Sequence, residues 1–460
     1  MTIITENPPV QDATPLSPAD RKRIRKQIQR GRWKEWLMFD STWGKRLLAQ
    51  MQYRKAMLQS VRGQKMASWQ TLMQLHRAAL SPRIDRKIVA RMNQAIADGT
   101  LSQLLTAYVD ETKSTPRTQK LFDQPESVLG PHATVLKTAF AGEKGVLLLN
   151  YSYIYVPFAK LYDLQRISQK YYIVLEPSWS GTCDEQILVY GFLPNTVFVQ
   201  CSEPRDIRFL QEANVNMVPI PTAANWWVDD NLYSPLPDVE KDADLVMVAS
   251  WAEFKRHAQF FEVLAQLRQQ GIRLKTLLAG YTSGWTKKHI EELAAYYGIA
   301  DQLEIHEWIP PEEVNQLYNR ALINVVWSRR EGSNRAIIEG NLANIPFILR
   351  EGFNYGDVHP CVNSQTGVFA NDRTLAATIT QTLERLSEFS PRSWVLENMT
   401  HRHATTILEQ EIGKVAHHNG ESWTGTLAGH MSVLHGNQYL DENDRTRFSQ
   451  DYDFLRTTIR

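Results

Sequence analysis

The stretch WSRREGSNRAIIEGNLANIPFIL, running from Trp327 to Leu349, sets two acids, Glu331 and Glu339, on either side of a Gly-Ser-Asn turn and the start of an apolar run. Gly332, Ser333 and Asn334 can present backbone N–H groups at the beginning of a helix, with Ser or Asn suited to the N-cap, and a turn so built holds a phosphate. The glycine lets that backbone approach a ligand closely. Glu331, on the loop, can project into a cleft. Glu339 falls well inside the helix among Ile337, Ile338 and Leu342, where a carboxylate is costly unless it meets a polar ligand such as a pair of hydroxyls. The plain alternative is an ordinary helix with one acid at its positive end and another in solvent.

Whether that chemistry is available depends on the elements around it. Short apolar runs alternate with helical patterns: Leu245–Ser250 with a helix from Arg256, Leu274–Gly280 with a helix from Thr286, and Leu303–Ile309 with a helix from Pro311. Leu322–Ser328 follows with a helix from Asn334, and then Phe347–Arg350. This repeat predicts a doubly wound α/β domain, in which ligands bind where the carboxyl ends of strands meet helix N-termini. Glu331 falls just beyond one such end. A weaker series, Val146–Asn150, Tyr172–Pro177, Val197–Gln200 and Met217–Pro221, predicts a second, smaller parallel sheet. Ser234–Lys241 reads as a linker between the two, and Ser114–Pro131 as a connector from a helical segment that runs from about Ser17 to Tyr108.

Composition fits a globular chain of more than one domain: 460 residues, 43% hydrophobic and 22% charged. No apolar run is long enough to span a bilayer, and the start MTIITENPPVQDATPLSP has no charged-then-apolar pattern, so neither a membrane span nor a signal peptide is expected. Cys183, Cys201 and Cys361 form no CxxC pair and predict neither a disulfide framework nor a zinc site, which points to a reducing, cytoplasmic setting. The net charge of +1 is unevenly spread. Between Asp20 and Lys65 there are 14 Lys and Arg against 3 Asp and Glu, leaving −10 on the rest of the chain. The same segment carries Trp33, Trp36, Phe39, Trp43, Leu47 and Met51 at helical steps. Two readings stand: the stripe docks on the protein's own core, or it meets anionic lipid head groups at a membrane surface.

Four segments, VMVASWAEFKRHAQFFEVLAQL, LKTLLAGYTSG, IHEWIPPEEVNQLYNRALINVVWS and EGSNRAIIEGNLANIPFIL, resemble in order the donor domain of retaining GT-B glycosyltransferases. The family is the large one that contains sucrose synthases and many bacterial polysaccharide mannosyl- and glucosyltransferases. The resemblance covers roughly Leu245 to Phe369. It implies two Rossmann-like domains facing across a cleft, with bounds here of 1–130 for a helical extension, 131–240 for the acceptor side, 241–400 for the donor side and 401–460 for a helical tail. It implies that Glu331 faces the donor sugar, that Gly332, Ser333 and Asn334 lie along sugar and diphosphate, that Glu339 accepts from the ribose hydroxyls, and that Lys255 neutralises the diphosphate. The implied activity is retaining hexosyl transfer from a nucleotide sugar to a sugar or lipid-linked acceptor, without metal or other cofactor and without nucleic acid. The leaving phosphate itself would take the acceptor proton. A double displacement by two carboxylates is not evident.

The chain departs from that family twice. Ser250 stands where an arginine is usual, with Arg256 as the candidate replacement, and LLLNYSYIYVPF lacks the usual glycine-rich loop of the acceptor side. Only His76 and His132 occur in the first 240 residues to serve as the family's sugar-contacting histidine, and neither can be assigned to it. These departures keep open a non-catalytic nucleotide-sugar-binding subunit, and the basic stripe a lipid-surface protein. His401, His403, His417 and His418 are expected to be surface histidines, and Asp229-Asp230-Asn231 a loop. Trp226 and Trp227 suit either sugar stacking or packing.

Overall fold

The computed structural model describes residues 16–178, 180–352, 361–433 and 436–460. The chain forms two compact units, one of the residues through Glu35 with Val228–Thr400, the other of Trp36–Trp227 with His401–Arg460. The N-terminal helical region is therefore divided. Helix α1, Pro18–Glu35, belongs to the first unit, where Ile24 is 2% exposed in a cluster with Phe260, Leu264 and Ile290. Arg23 bonds Glu292 at 2.8 Å and Arg32 pairs with Glu262, so α1 is held by its own charges as well as by Ile24. A π-turn, Trp36–Asp40, then breaks the helix. Helix α2, Thr42–Val61, starts afresh because the Ser41 hydroxyl accepts from the Gly44 N–H at 3.0 Å, a side-chain N-cap. The single helix that the aromatic stripe implied is two helices.

In the second unit five strands lie in the order β1 (Ala133–Lys137), β2 (Gly145–Asn150), β3 (Tyr171–Glu176), β4 (Val197–Gln200), β5 (Met217–Ile220). β2 to β5 are parallel and β1 is antiparallel to β2. Side chains alternate between faces, and both faces are largely buried, so these strands are mostly apolar, with polar residues such as Asn150, Glu176 and Gln200 at their carboxyl ends. Leu147 and Leu149 enter one cluster with Phe158 and Leu105, while Val146 and Leu148 enter another with Leu408 and Ile412.

Among the described residues the first unit holds six strands, β6 (Ala243–Val248), β7 (Thr276–Gly280), β8 (Leu303–Glu307), β9 (Ala321–Val326), β10 (Phe347–Arg350) and β11 (Gly367–Ala370). They are all parallel, in the order β11-β10-β9-β6-β7-β8. Reading outward from β6, the chain builds β7 and β8 on one side, then crosses to build β9, β10 and β11 on the other. The direction reverses between β6 and β9, which makes their carboxyl ends the topological switch point. Helix α3, His257–Gln269, follows β6, and α4, Arg335–Leu342, follows β9. α4 lies close on β9 because Gly340 has no side chain. A Cβ there would stand 2.7 Å from Asn324 Nδ2, which donates to the Ala336 carbonyl at 2.7 Å.

Helix α5, His401–His418, covers the second unit's sheet with Leu408, Ile412 and Ala416, each fully buried and worth about 1.5–3 kcal/mol for the larger two. Its first histidine is not on the surface, since His401 is 1% exposed, whereas His417 and His418 are exposed. The expected helical tail also contains a hairpin, β12 (His430–Val433) and β13 (Gly436–Tyr439). His430 stacks on Trp227, with ring centroids 4.1 Å apart, and Trp227 Nε1 donates to Gln200 Oε1 at 3.1 Å. Trp227 is therefore a packing residue, 0% exposed. The three cysteines are buried, and none is in a disulfide among the described residues. No helix among the described residues is long and apolar enough to cross a membrane.

The aromatic stripe is not core. Trp33, Trp36, Trp43, Leu47 and Met51 are 63%, 50%, 69%, 41% and 57% exposed, with Phe39 half-buried. α2 buries its small side instead, with Ala49 and Ala56 packed beside Leu72 and Leu75.

Candidate active site

Two loops meet at the switch point of the first unit. After β6 the chain turns through Glu253–Lys255, and after β9 it passes Trp327 and Ser328 to Glu331. The Arg329 N–H donates to the Phe254 carbonyl at 2.9 Å, which ties one loop to the other. Across that tie the Lys255 ammonium bonds the Glu331 carboxylate, whose same oxygen also accepts from the Ser328 hydroxyl. Both charges are largely withdrawn from water, at 13% and 7% side-chain exposure. A buried ion pair at the carboxyl ends of β6 and β9 is unusual as a purely structural device, because desolvation offsets most of its attraction. It does keep an ammonium and a carboxylate ready where a ligand would arrive.

Gly332 is buried, and Ser333 and Asn334 are half-buried at the entry to α4. Asn334 occupies the N-cap with extended backbone, and its side chain makes no capping bond, so the first-turn N–H groups of α4 are not closed by it. Inside α4, Glu339 is 8% exposed. Its carboxylate accepts from Tyr318 Oη at 3.3 Å and faces Arg335 Nε at 3.4 Å one helical turn back. Burial pushes its carboxyl above the ordinary value, against the pull of Arg335 and the hydroxyls of Tyr318 and Tyr233. The acid among apolar neighbours thus has a polar nest of its own.

Arg256, expected as a replacement phosphate cation, is paired with two carboxylates in the structure. Its backbone is left-handed at φ 62°, where it caps α3, and its guanidinium forks onto both oxygens of Asp372 at 2.7 Å. Its Nε lies 2.9 Å from Glu35 Oε1 at the end of α1. Burial opposes the charge, but the bonds to Asp372 and Glu35 outweigh it and hold the guanidinium charged. Asp372 is held down to about 2 by the same contact, against its own burial. With two carboxylates on it and 4% exposure, Arg256 clamps α1 to this unit. Ser250 lies half-buried after β6 and supplies no cation in its place.

One pair at the sheet's carboxyl edge escaped the sequence reading. Tyr281 follows β7 and Trp308 follows β8, with ring centroids 4.9 Å apart and exposures of 46% and 68%. Trp308 has φ 55°, a conformation that a bulky residue adopts at a cost. The available signal was position: each aromatic comes at the end of a strand that was itself legible. His132 and His76 lie in the other unit. His132 bonds Asn150 Oδ1 at 3.1 Å and Tyr153 Oη at 3.3 Å, and burial lowers its pKa. Asp229-Asp230-Asn231 is a loop in which Asp229 accepts from the N–H groups of Asn231 and Leu232. No group of three or more metal-ligating side chains occurs among the described residues.

The loops, the ion pair and the switch-point sheet fall within one matched segment. Residues 230–388 match the family of glycosyl transferases group 1. This glycosyl transferases group 1 segment contains β6 to β11, both glutamates and Lys255. Among solved structures, sucrose-phosphate synthase from Thermosynechococcus elongatus is similar at 17% identity, over 59% of this chain and 73% of that one, with a TM-score of 0.44. Anabaena Alr3699/HepE, solved with UDP, is similar at 14% identity over 54% and 73%, with a TM-score of 0.42. The C-terminal domain of the glycosyl transferase group 1 family protein LpcC from Francisella tularensis is similar at 15% identity, over 38% of this chain and 98% of that domain, with a TM-score of 0.33. No curated protein matches.

Proposed function

We propose that the protein transfers a hexosyl group from a nucleoside diphosphate sugar to a carbohydrate or lipid-linked acceptor, on a GT-B architecture and with retention at the anomeric carbon. The observation that carries the reading is the Lys255–Glu331 pair at the switch point of the glycosyl transferases group 1 segment. When a donor enters, the diphosphate takes over Lys255 and the first-turn N–H groups of α4, and Glu331 turns to the sugar. Glu339 accepts from the ribose hydroxyls, and the Tyr281–Trp308 pair offers ring faces to the base. As the bond from the anomeric carbon to the phosphate oxygen breaks, its electron pair passes to the diphosphate. Lys255 and the amide dipoles stabilise that charge as it develops. The acceptor hydroxyl attacks from the same face and gives its proton to the departing phosphate oxygen. In this scheme no metal and no other cofactor are needed, and three buried cysteines outside any disulfide suit a cytoplasmic setting.

Nucleoside diphosphate release from UDP-, GDP- and ADP-sugars, with and without sugar acceptors, tests the reaction. Proton NMR of the product reports its anomeric configuration. Release that stops in EDTA would refute metal independence, and an inverted product would refute retention. A second reading, a nucleotide-sugar-binding subunit without turnover, is favoured by one feature: Ser250 stands where an arginine is usual in the family, and Arg256 is paired with Glu35 and Asp372. Tight donor binding with no release under any acceptor would select it.

A further inference from the structure

Helix α2 is inside out. Its inward face carries the fully buried Ala49 and Ala56 with Tyr53 and Met57 half-buried beside them, while Trp43, Leu47, Met51, Leu58 and Val61 point outward at 69%, 41%, 57%, 57% and 87% exposure. On a helix of 3.6 residues per turn those five positions fall within one narrow stripe. Arg54 lies inside the stripe, and Arg46, Lys55 and Arg62 flank it, all of them exposed. A globular protein hides such a stripe unless something else covers it. The preceding helix α1, described with the other unit, repeats the composition: Trp33 is 63% exposed among the exposed Lys26, Arg30 and Lys34.

We propose that the outward face of α2 docks on the surface of an anionic lipid bilayer, with the tryptophan and aliphatic side chains at the level of the head groups and the arginines and lysine on the lipid phosphates. Charge decides between occupants. A second copy of this face would set like charges against like, and a nucleic acid would satisfy the cations while leaving Leu47, Met51, Leu58 and Val61 in water. An anionic bilayer accepts both parts of the stripe. The inference is independent of the donor-site reading, because none of these residues belongs to that site.

Cosedimentation of the full chain with vesicles tests it, comparing phosphatidylcholine alone with phosphatidylcholine containing phosphatidylglycerol. The protein is expected to pellet with the anionic vesicles only and to be released as salt rises, since screening shortens the reach of these charges. A variant carrying Arg54→Gln, Lys55→Gln and Arg62→Gln should lose on the order of a hundredfold in partitioning. One carrying Trp43→Ser, Leu47→Ser and Leu58→Ser should lose on the order of tenfold or more. Both variants should keep the parent's melting temperature and nucleoside diphosphate affinity, because the changed side chains are exposed and belong to the unit that does not hold the site. The proposal is overturned by absent pelleting, by equal pelleting with neutral vesicles, or by variants that pellet like the parent. It is also overturned by a concentration-dependent dimer that the serine variant abolishes, which would make a second copy the occupant.

Discussion

Glu331→Gln should tighten the binding of a nucleoside diphosphate while it lowers turnover. In the ligand-free protein Glu331 holds Lys255, and both side chains are nearly buried. A diphosphate has to take that ammonium away from a carboxylate and then lie beside the carboxylate's own negative charge. Two unit charges about 7 Å apart at an effective dielectric constant of about 20 interact by about 2 kcal/mol. Removing the carboxylate charge relieves that repulsion, and the amide oxygen of Gln still offers Lys255 a weaker bond. The net gain is about 1–2 kcal/mol, or roughly five- to thirtyfold in Kd. Without ligand the same variant should be less stable by roughly 1–3 kcal/mol, because a charged hydrogen bond becomes a neutral one around a mostly buried ammonium. For a unit of this size that corresponds to a fall in Tm of about 2–12 °C. Titration calorimetry with the diphosphate alone reads the affinity, and scanning calorimetry reads the Tm. Turnover of the full donor should fall mainly in kcat, because the lost contact strengthens as charge develops on the sugar ring. Lys255→Met gives the opposite sign, a loss of diphosphate affinity by roughly 1.5–3 kcal/mol. A Glu331→Gln variant that binds the diphosphate no better than the parent and melts at the same temperature would refute the competition between carboxylate and phosphate for Lys255.

Glu339→Gln should weaken nucleoside diphosphate binding by roughly 1.5–3 kcal/mol and leave inorganic pyrophosphate binding unchanged, since only the nucleoside carries a ribose; calorimetry with both ligands checks this. Arg256→Gln should lower Tm, with a cost of about 1–3 kcal/mol for the charged bonds lost to Glu35 and the solvent-exposed Asp372, and should change diphosphate affinity little; a large affinity loss would place Arg256 at the phosphate. In the second unit, burial, opposed by Arg205, pushes the Glu203 carboxyl from 4.5 up to about 7. A carboxyl raised in the folded state contributes stability that is fully present below about 4.5 and is lost as pH rises through about 7. Glu203→Gln should therefore flatten the decline in unfolding free energy between pH 5 and 8 by at most about 3 kcal/mol, as read by denaturant melts across that range.

What could be read from the sequence was what is local along the chain. Glu331, Glu339 and Lys255 follow strands whose apolar runs are unmistakable. A strand, a loop and a helix within a dozen or so residues leave little freedom in where a loop acid points, so their places at the edge of the sheet were legible. β1 was not, because Ala133–Lys137 follows a Gly-Pro-His turn and pairs antiparallel with β2, outside the strand-helix-strand rhythm that exposed the others. Trp227 offered two readings because the residue that decides between them, His430, lies in a hairpin far along the chain.

Arg256 and the aromatic stripe show what local reading leaves open, and for one shared reason. Periodicity and neighbouring residues report what a side chain is able to do; the partner that arrives from a distance decides what it does. Arg256 sits beside Lys255 and has the right charge for a phosphate, yet its partners are Asp372, 116 residues away, and Glu35, 221 residues away. The guanidinium itself is buried, with Glu35 half-buried and Asp372 exposed beside it, and neither partner could be read from its neighbours in sequence. The stripe of α2 has the spacing of a core-facing helix, but a helix with two faces able to pack will bury the one that fits its neighbour. Ala49 and Ala56 let the chain of Lys65–Ala78 come close, with Leu72 and Leu75 against them, and the close approach on that side leaves Trp43, Leu47 and Met51 on the other. Replacing Ala56 with leucine tests that choice directly. Ala56 is 0% exposed, so the added methylenes overpack the contact and should cost about 1–3 kcal/mol, whereas Leu47→Ala on the exposed face should stay within about 0.5 kcal/mol. Equal costs at the two positions, measured by denaturant unfolding, would mean that the stripe is buried after all, and the lipid surface would lose its binding face.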